Sequence, residues 1–489
     1  MSSAINAAAL SRLKRRALSL GAVKSLDHAV QFLLPMLLVR CLDATTFGEY
    51  RLFWLAVATV MTFATLNMCG TLYFFVPRSE PSRKRLYIHQ TMLYLAVSGL
   101  VCAFLVSPLN PVQLGAMAPL GKYGFLVPGI IALWVVGILL HSLPSVDERI
   151  SWQAYLTLSV SLLRVVVIGL AAWFTGELYL MLWLLLAVGL VKVGLLLYYV
   201  RRHHGLGSPW FEWPAFSEQF RHSAPLGLNG AFYGLRGNAD QWVAASLFSL
   251  SSFAAFSVAA IVGQLMRVLR TSVMEAFLPS MSRLQAAGDV HGMLRMNSRG
   301  NLIVAKLFYP QLAFAFVFAE EIVSLLYTAT YADAAPVVRV YIVGMAAMAV
   351  EIGSLVMLLR QGVYAVGVTA LTLVTSIAVS WSAAQHFGLA GAAVGSVLGV
   401  YLDRALVLRR IARHSGVPLR RLQDWRTLGM ALALAVATGA LAGVVVERIF
   451  AERGVLVRLA TGAAVFALVY AAVYLRLGRR RSPAASTDR

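Results

Sequence analysis

Long apolar runs dominate this chain of 489 residues and restrict the folds open to it. Many of the runs approach the roughly 20 residues that a helix needs to cross a bilayer, and short polar breaks separate them. Charged residues make up 13% of the sequence, whereas a soluble domain carries about 25%. The runs are too long and too rich in Leu, Ala and Val for barrel strands, and helices satisfy their own backbone hydrogen bonds in lipid. The sequence therefore predicts an all-α polytopic membrane protein.

The positions of the polar breaks predict about fourteen transmembrane helices. We expect them at 18–39, 50–77, 86–107, 124–146, 152–174, 178–200, 223–248, 251–277, 300–325, 335–359, 363–385, 389–411, 427–447 and 455–477. The predicted organisation is a tail (1–17), an N-lobe of six helices (18–200), an interlobe linker (201–222), a C-lobe of six helices (223–411), two further helices (412–477) and a second tail (478–489).

The distribution of basic residues predicts the orientation of these helices. A net charge of +21 would suggest a nucleic-acid partner for a soluble protein, but basic residues also mark the cytoplasmic loops of membrane proteins. With the N-terminus in the cytoplasm, 27 of the 42 Lys and Arg residues lie in cytoplasmic segments or at the helix ends beside them, 6 lie on the opposite side in the same sense, and 9 lie deeper within helices. Both termini are therefore expected to be cytoplasmic. The basic stretch at 12–16 is interpreted as part of a tail, since no signal-peptide cleavage pattern follows it.

A weak internal repeat relates the two predicted lobes. The first hairpin break reads LLVRCLDATTFGEYRLFWLA (37–56), and the break between the seventh and eighth helices reads VAASLFSLSSFAAFSVAA (243–260). Aligning Phe47 with Phe253 gives a spacing of 206 residues, with an aromatic residue near the start of the next helix in both breaks. Duplicated halves around a central site are typical of transporters.

Ionisable residues inside the predicted spans are the candidate functional groups, because each charge costs about 2.5–3.5 kcal/mol at mid-bilayer. Several have a structural explanation. Lys192, Lys306 and Arg404 lie near predicted helix ends and are expected to extend their charges to the membrane surface. Asp403 is expected to neutralise Arg404, and Arg339 lies near the outer end of its helix.

The deeper basic residues point to an anionic ligand. Arg164, Arg267 and Arg270 have no acid three or four residues away, so they call for water, a partner helix or an anion. A guanidinium suits phosphate because its planar fork bonds two oxygens at once. The predicted substrate-binding residues are Lys24, Arg164, Arg236, Arg267, Arg270, Asn229 and Asn238. Alternatively, Lys24 pairs with Asp27 and Arg236 with Asp240 within one helix, and the polar and aromatic neighbours are ordinary packing.

Four acids in the spans allow two interpretations. Asp27, Asp240, Glu275 and Glu351 bind Na⁺ or a proton and couple transport to a gradient, or they compensate neighbouring arginines. No cofactor and no metal site are expected. The sequence contains no HExxH, CxxC or P-loop motif, so catalysis is not expected either.

Four stretches resemble Wzx-type polysaccharide exporters of the multidrug/oligosaccharidyl-lipid/polysaccharide (MOP) superfamily. They are the first hairpin (37–56), APLGLNGAFYGLRGNADQWVAASLFS (224–249), SSFAAFSVAA (251–260) and AFLPSMSRLQAAGD (276–289). The second hairpin departs from the family pattern, since Ala254 and Ala255 replace a common Gly.

The resemblance implies two six-helix lobes of the MATE type plus two C-terminal helices. It implies a flippase of the bacterial inner membrane that carries an undecaprenyl-diphosphate-linked oligosaccharide to the periplasmic leaflet by alternating access, for O-antigen, capsule or exopolysaccharide. The implied partners are this lipid-linked oligosaccharide, membrane lipid, and a polymerase and chain-length regulator of the same pathway. The alternatives are a MATE-like antiporter of small cations, a lipid II flippase, and a membrane enzyme that polymerises or ligates the same glycan.

Overall fold

The structure is a computed structural model that describes residues 33–110 and 115–479, with only the backbone described at 150, 261–276 and 474–479. The described residues form helices and short connections without any strand, which confirms the predicted fold class. The α-helices are α1 (33–41), α2 (Ala44–Ala64), α3 (Met68–Arg78), α4 (Pro81–Val106), α5 (Leu126–Gly137), α6 (Leu143–Val146), α7 (Ile150–Phe174), α8 (Leu178–His203), α9 (Trp213–Leu247), α10 (Leu250–Ala286), α11 (Val290–Val317), α12 (Ala319–Tyr327), α13 (Ala334–Met348), α14 (Gly353–Leu358), α15 (Gly362–Ser415), α16 (Leu419–Leu422), α17 (Trp425–Phe450) and α18 (Val455–Arg479). Short 3₁₀ helices cover Gly115–Tyr123, Ile138–His141 and Ala329–Tyr331.

Eight helices in the described part of the chain are long and apolar enough to cross a membrane. A ninth span is possible if the bent pair α2–α3 acts as one. Helix α9 is not among the eight, in keeping with the charged residues that the sequence places in it. The protein is thus a multi-pass membrane protein, and the number fourteen stays a prediction.

The two hairpin breaks of the predicted repeat share one local structure. Asp43 caps α2, since its carboxylate accepts from the amides of Thr45 at 2.9 Å and Thr46 at 3.0 Å. Ser249 caps α10 in the same way, accepting from the amide of Ser252. The two caps are as far apart along the chain as Phe47 and Phe253, so the predicted repeat is confirmed at these positions.

The predicted helix 50–77 is wrong as a single straight helix, because the chain bends by 43° between α2 and α3. Leu66 and Asn67 take positive φ angles of 37° and 59° there. Side chains satisfy the carbonyls that the bend leaves free: Ser98 donates to Ala64, and Ser223 donates to Leu66. By contrast, the predicted boundary between 385 and 389 is confirmed, since α15 breaks at Gly388 with φ of 62°.

The chain divides into two compact units, Met1–Asn238 and Ala239–Arg489, with the boundary inside α9. In the first unit, α4 packs on α3 and α5, and α5 packs on α8. In the second unit, α10 packs on α11 and α13, α13 on α15, and α11 on α17. The core of the first unit includes Leu72, Ile88, Leu95, Val135, Leu139 and Leu196.

Buried amides hold the start of α9 in the first unit. Gln219 accepts from Gln90 at 2.7 Å and donates to Thr71 and Thr91, both at 2.9 Å. All four side chains are buried, so the hydrogen bonds offset the cost of removing their polar groups from water. α9 begins at Trp213, ten residues before the predicted start, and these hydrogen bonds hold its early turns against α3 and α4.

Candidate anion-binding site

Arg164 is the predicted site residue whose surroundings are described in most detail. It lies near the middle of α7, and its guanidinium carbon is 5.3 Å from the ring centroid of Trp54 on α2. Its Nε is buried and finds no hydrogen-bond partner among the described residues. The contact with Trp54 is a cation–π interaction, which contributes about 2 kcal/mol when desolvated and leaves the N–H groups available.

Lys192 lies on the other side of the same aromatic pair. Trp54 packs edge-to-face against Trp134, with ring centroids 5.8 Å apart. The ammonium of Lys192 is 5.4 Å from the Trp134 centroid. Four residues therefore form one cation–indole cluster, in the order Arg164, Trp54, Trp134, Lys192.

The prediction that Lys192 extends to the membrane surface is wrong. Its side chain is 4% exposed and lies near the middle of α8. Gly137 makes this possible, since a Cβ at that position would come within 2.9 Å of the Lys192 stem. The stem therefore packs where α5 has no side chain, and the ammonium stays beneath the indole.

The cluster holds two like charges without an acid. In the described part of the chain neither Arg164 nor Lys192 takes part in an ion pair. The two charges are also close enough to disfavour each other. Buried cations without a counter-charge are costly, so an anion that enters here gains from both.

His141 and its neighbours form a hydrogen-bonded polar group near the cluster. The carbonyl of His141 accepts from the amide of Gln153, and its Nδ1 is 3.4 Å from the Thr157 hydroxyl. Ser145 donates to the Gln153 side-chain oxygen. His141 was not among the predicted residues, because its contacts depend on how the Ile138–His141 turn meets α7.

The seventh predicted span, now α9, contributes three of the predicted residues. Asn229 is exposed, and Arg236 and Asn238 are partly buried with interactions of their own. Two glycines bring this part of α9 against the end of α2: a Cβ on Gly227 would lie 2.4 Å from backbone atoms of Leu66, and one on Gly234 would lie 2.6 Å from Thr62.

The second unit holds Asp240, which is buried. Tyr341 donates to its carboxylate at 2.7 Å, the amide of Gln241 donates at 2.8 Å, and Ser396 also hydrogen-bonds to it. Neutral donors thus hold the carboxylate in place.

Glu351 lies at the break between α13 and α14. Its Oε1 caps α14 by accepting from the Ser354 amide at 3.0 Å. The backbone of Glu351 bonds to Asn297 and Asn301, and Gln423 joins these two asparagines. The second oxygen, Oε2, is buried without a hydrogen-bond partner among the described residues.

The remaining predicted residues lie outside the described side chains. Lys24 and Asp27 lie outside the described residues, and Arg267, Arg270 and Glu275 fall in the part of α10 whose side chains are not described. The predicted pairing of Asp403 with Arg404 is confirmed, at 2.6 Å. Arg339, predicted only to lie near the outer end of its helix, bonds Glu320 at 3.0 Å.

Comparison with known proteins identifies the family. The model of the family described as "Polysaccharide biosynthesis protein" matches residues 13–285, which is more than half of the chain. The chain belongs to the polysaccharide biosynthesis protein family. A second model, "Lipid II flippase MurJ", matches residues 151–464. The predicted membership of the MOP superfamily, among its flippases, is thereby confirmed.

Solved structures agree with this family on the fold. A structure of the lipid II flippase MurJ in an inward closed conformation matches with a TM-score of 0.67 and 10% identity, over 94% of this chain and 98% of that one. An inward-facing multidrug resistance MATE transporter of the MOP superfamily matches with a TM-score of 0.64 and 13% identity, over 80% of this chain and 95% of that one. The MATE multidrug transporter DinF-BH matches with a TM-score of 0.55 and 14% identity, over 82% of this chain and 96% of that one. No curated protein matches the sequence.

Proposed function

We propose that this family member flips an undecaprenyl-diphosphate-linked oligosaccharide from the cytoplasmic to the periplasmic leaflet of the bacterial inner membrane. The product would serve O-antigen, capsule or exopolysaccharide synthesis. That the chain is a transporter of the lipid-linked flippase type follows from its family and its fold.

The cation–indole cluster is the observation that carries this proposal. A diphosphate moved through hydrocarbon would lose its hydration, at a cost far above that of a neutral polar group. Arg164 offers unused N–H donors at mid-helix depth, and its fork matches two phosphate oxygens. Lys192, held beneath Trp134, adds positive potential without needing to touch the phosphate.

Alternating access between the two lobes is the transport mechanism we propose. The diphosphate occupies the basic interior, polar side chains such as Asn229 face the sugars, and the lipid tail stays in the bilayer. Asp240 and Glu351 are the described candidates for Na⁺ or H⁺ coupling, and Glu351 has the clearer case because its Oε2 has no described partner.

A lipid II flippase is the second candidate, favoured by the match of the MurJ family model over residues 151–464. Lipid II also presents a diphosphate, so the cation–indole cluster suits both. A MATE-like antiporter of cations is disfavoured, since a cationic drug would be repelled by Arg164 and Lys192. The substrate therefore has to be tested directly.

The test uses purified protein in proteoliposomes that contain a fluorescent undecaprenyl-diphosphate oligosaccharide. Flipping is measured as the access of a membrane-impermeant quencher. We expect wild-type protein to flip this lipid, and Arg164→Gln to flip it at least about tenfold more slowly, since a charge-assisted hydrogen bond contributes about 1.5–3 kcal/mol. Arg202→Gln, an exposed residue at the end of α8, is the matched control and should flip at the wild-type rate.

Parallel vesicles with a labelled lipid II or a cationic dye distinguish the alternatives. Faster flipping of lipid II than of the oligosaccharide would favour the second candidate. Uptake of the dye alone, or wild-type flipping by Arg164→Gln, would overturn the proposal.

A further inference from the structure

A polar cavity of about 620 Å³ lies at one end of the first unit and shares no residue with the cation–indole cluster. Three connections of the chain line it: the turn between α3 and α4, the turn between α6 and α7, and the segment after α8. All three are predicted to face the cytoplasm. The ionisable lining residues are Lys84, Arg85, Asp147, Glu148, Arg149, His203 and His204.

Arg85 has unused hydrogen-bonding capacity at this cavity. Its Nε is buried and has no hydrogen-bond partner among the described residues. A buried guanidinium N–H without a partner is costly, and the shape of the cavity gives a ligand access to the same side chain. Lys84, the preceding residue, lines the cavity as well.

Asp147, one of the two acids that line the cavity, is already bound to other groups. Tyr199 donates to Asp147 at 2.7 Å, and the Nε2 of His204 is 2.8 Å from the same oxygen. Burial alone would raise the pKa of Asp147, but the hydrogen bonds from His204 and Tyr199 outweigh it and hold the pKa below its usual value. Glu148 is then the one lining acid without such partners, against Lys84, Arg85 and Arg149. The cavity therefore has a positive excess.

The helix ends that border the cavity add positive electrostatic potential to it. The N-terminal end of α4, at Pro81, and that of α7, at Arg149, border the cavity, and neither has a side-chain cap. Helix N-termini carry partial positive charge. The C-terminal ends of α3 and α8 also border it, but the amides of Ser79, His204 and Gly205 bond back to their carbonyls.

We propose that this cavity binds a phosphate group, presented either by the headgroup of a membrane lipid or by a free phosphate compound. Bound there, the phosphate accepts from Arg85 and Lys84 on α4 and from Arg149 at the start of α7. It thereby links two connections of the first unit at the membrane surface. The proposal goes beyond the transport function and does not depend on it.

The test titrates inorganic pyrophosphate into the full-length protein in phosphatidylcholine nanodiscs, with calorimetric detection. An Arg164→Gln background is used so that any binding at the cation–indole cluster is weakened in every variant. We expect Arg85→Gln to bind pyrophosphate about tenfold more weakly, as expected for the loss of one charge-assisted hydrogen bond. Arg83→Gln is the matched control, because it removes the same charge from an exposed neighbour that does not line the cavity. Arg149→Gln, in an exposed turn, provides a second test that does not disturb a helix interior.

Nanodiscs that contain phosphatidic acid distinguish a lipid headgroup from a free phosphate compound as the source of the phosphate. Loss of pyrophosphate binding in these discs, dependent on Arg85, assigns the cavity to a lipid headgroup. Undiminished binding assigns it to a free phosphate compound. If Arg85→Gln and Arg149→Gln both bind pyrophosphate within twofold of Arg83→Gln, or if the parent protein binds none in either disc, the proposal is wrong.

Discussion

The ammonium of Lys192 lies 5.4 Å from the centre of the Trp134 ring, within a side-chain environment that leaves it 4% exposed. A lysine at this depth, without an acid partner among the described residues, costs stability, so its presence points to a purpose other than stability. Its indole contact and its place in one cluster with Arg164 indicate that the purpose is electrostatic.

Replacing Lys192 separates function from stability. We expect Lys192→Met to unfold at the same temperature as wild type or a higher one, because a flexible apolar chain of similar length fills the site and the buried ammonium is removed. Flipping of the diphosphate-linked lipid should nevertheless slow. Lys306→Met makes the same change at an exposed position and should alter neither quantity. A large drop in unfolding temperature for Lys192→Met, with a normal flipping rate of the folded fraction, would assign Lys192 to packing instead.

The close approach of α9 to the end of α2 predicts opposite outcomes for two glycines. A Cβ on Gly227 would lie 2.4 Å from Leu66, whereas nothing lies within 4 Å of one on Gly230. We expect Gly227→Ala to lose about 1–3 kcal/mol of stability through overpacking. Gly230→Ala should be neutral or gain up to about 1 kcal/mol from helix propensity. Thermal unfolding of both variants in detergent measures the difference, and equal effects would contradict the packing.

The buried amides at the start of α9 predict that substitutions of Gln90 and Gln219 have coupled effects on stability. In Gln219→Leu the amide of Gln90 loses its bond to Gln219, while Thr71 and Thr91 keep bonds to the carbonyls of Met68 and Tyr87. One orphaned buried amide costs about 1–3 kcal/mol. The double variant Gln90→Leu/Gln219→Leu should therefore lose less than the sum of the single losses. Additive losses in urea unfolding would show that the two amides do not depend on each other.

The cap of α2 predicts a dependence on pH. The hydrogen bond from the Thr46 hydroxyl lowers the pKa of Asp43 below 3.8, outweighing burial, and the amides of Thr46 and Thr45 act in the same direction. Because the folded pKa is the lower one, the ionised cap contributes stability above the unfolded pKa, and this contribution is lost as the pH falls below 3.8 through the folded value.

Asp43→Asn tests this dependence, since asparagine keeps the cap without titrating. We expect the stability of wild type relative to Asp43→Asn to be constant above about pH 5 and to fall below pH 3.8. A constant difference down to the acid limit of the folded protein would contradict the ionised cap.

The predictable parts of this fold were those determined by local sequence. Hydropathy indicated the spans, and the capping residues Asp43 and Ser249 carry a repeat that could be aligned from Phe47 and Phe253. The bend at Leu66 was missed because its free carbonyls are satisfied by Ser98 and Ser223, which are distant in sequence.

The candidate site was predictable only in part, for the same reason. Arg164 stood out because no acid lies near it in sequence. Lys192 did not, since its burial depends on the space that Gly137 leaves on another helix. Trp54 and Trp134 are ordinary apolar positions until the fold places them between the two cations.

The most direct test of the central claim is the equilibrium affinity of the purified protein for the undecaprenyl-diphosphate oligosaccharide, compared among wild type, Arg164→Lys and Arg164→Gln. The account predicts that Arg164→Gln weakens binding at least about tenfold. The affinity of Arg164→Lys should lie between those of wild type and Arg164→Gln, because lysine keeps the charge but not the two-oxygen fork. Equal affinities for all three proteins would contradict the claim that this guanidinium holds the diphosphate.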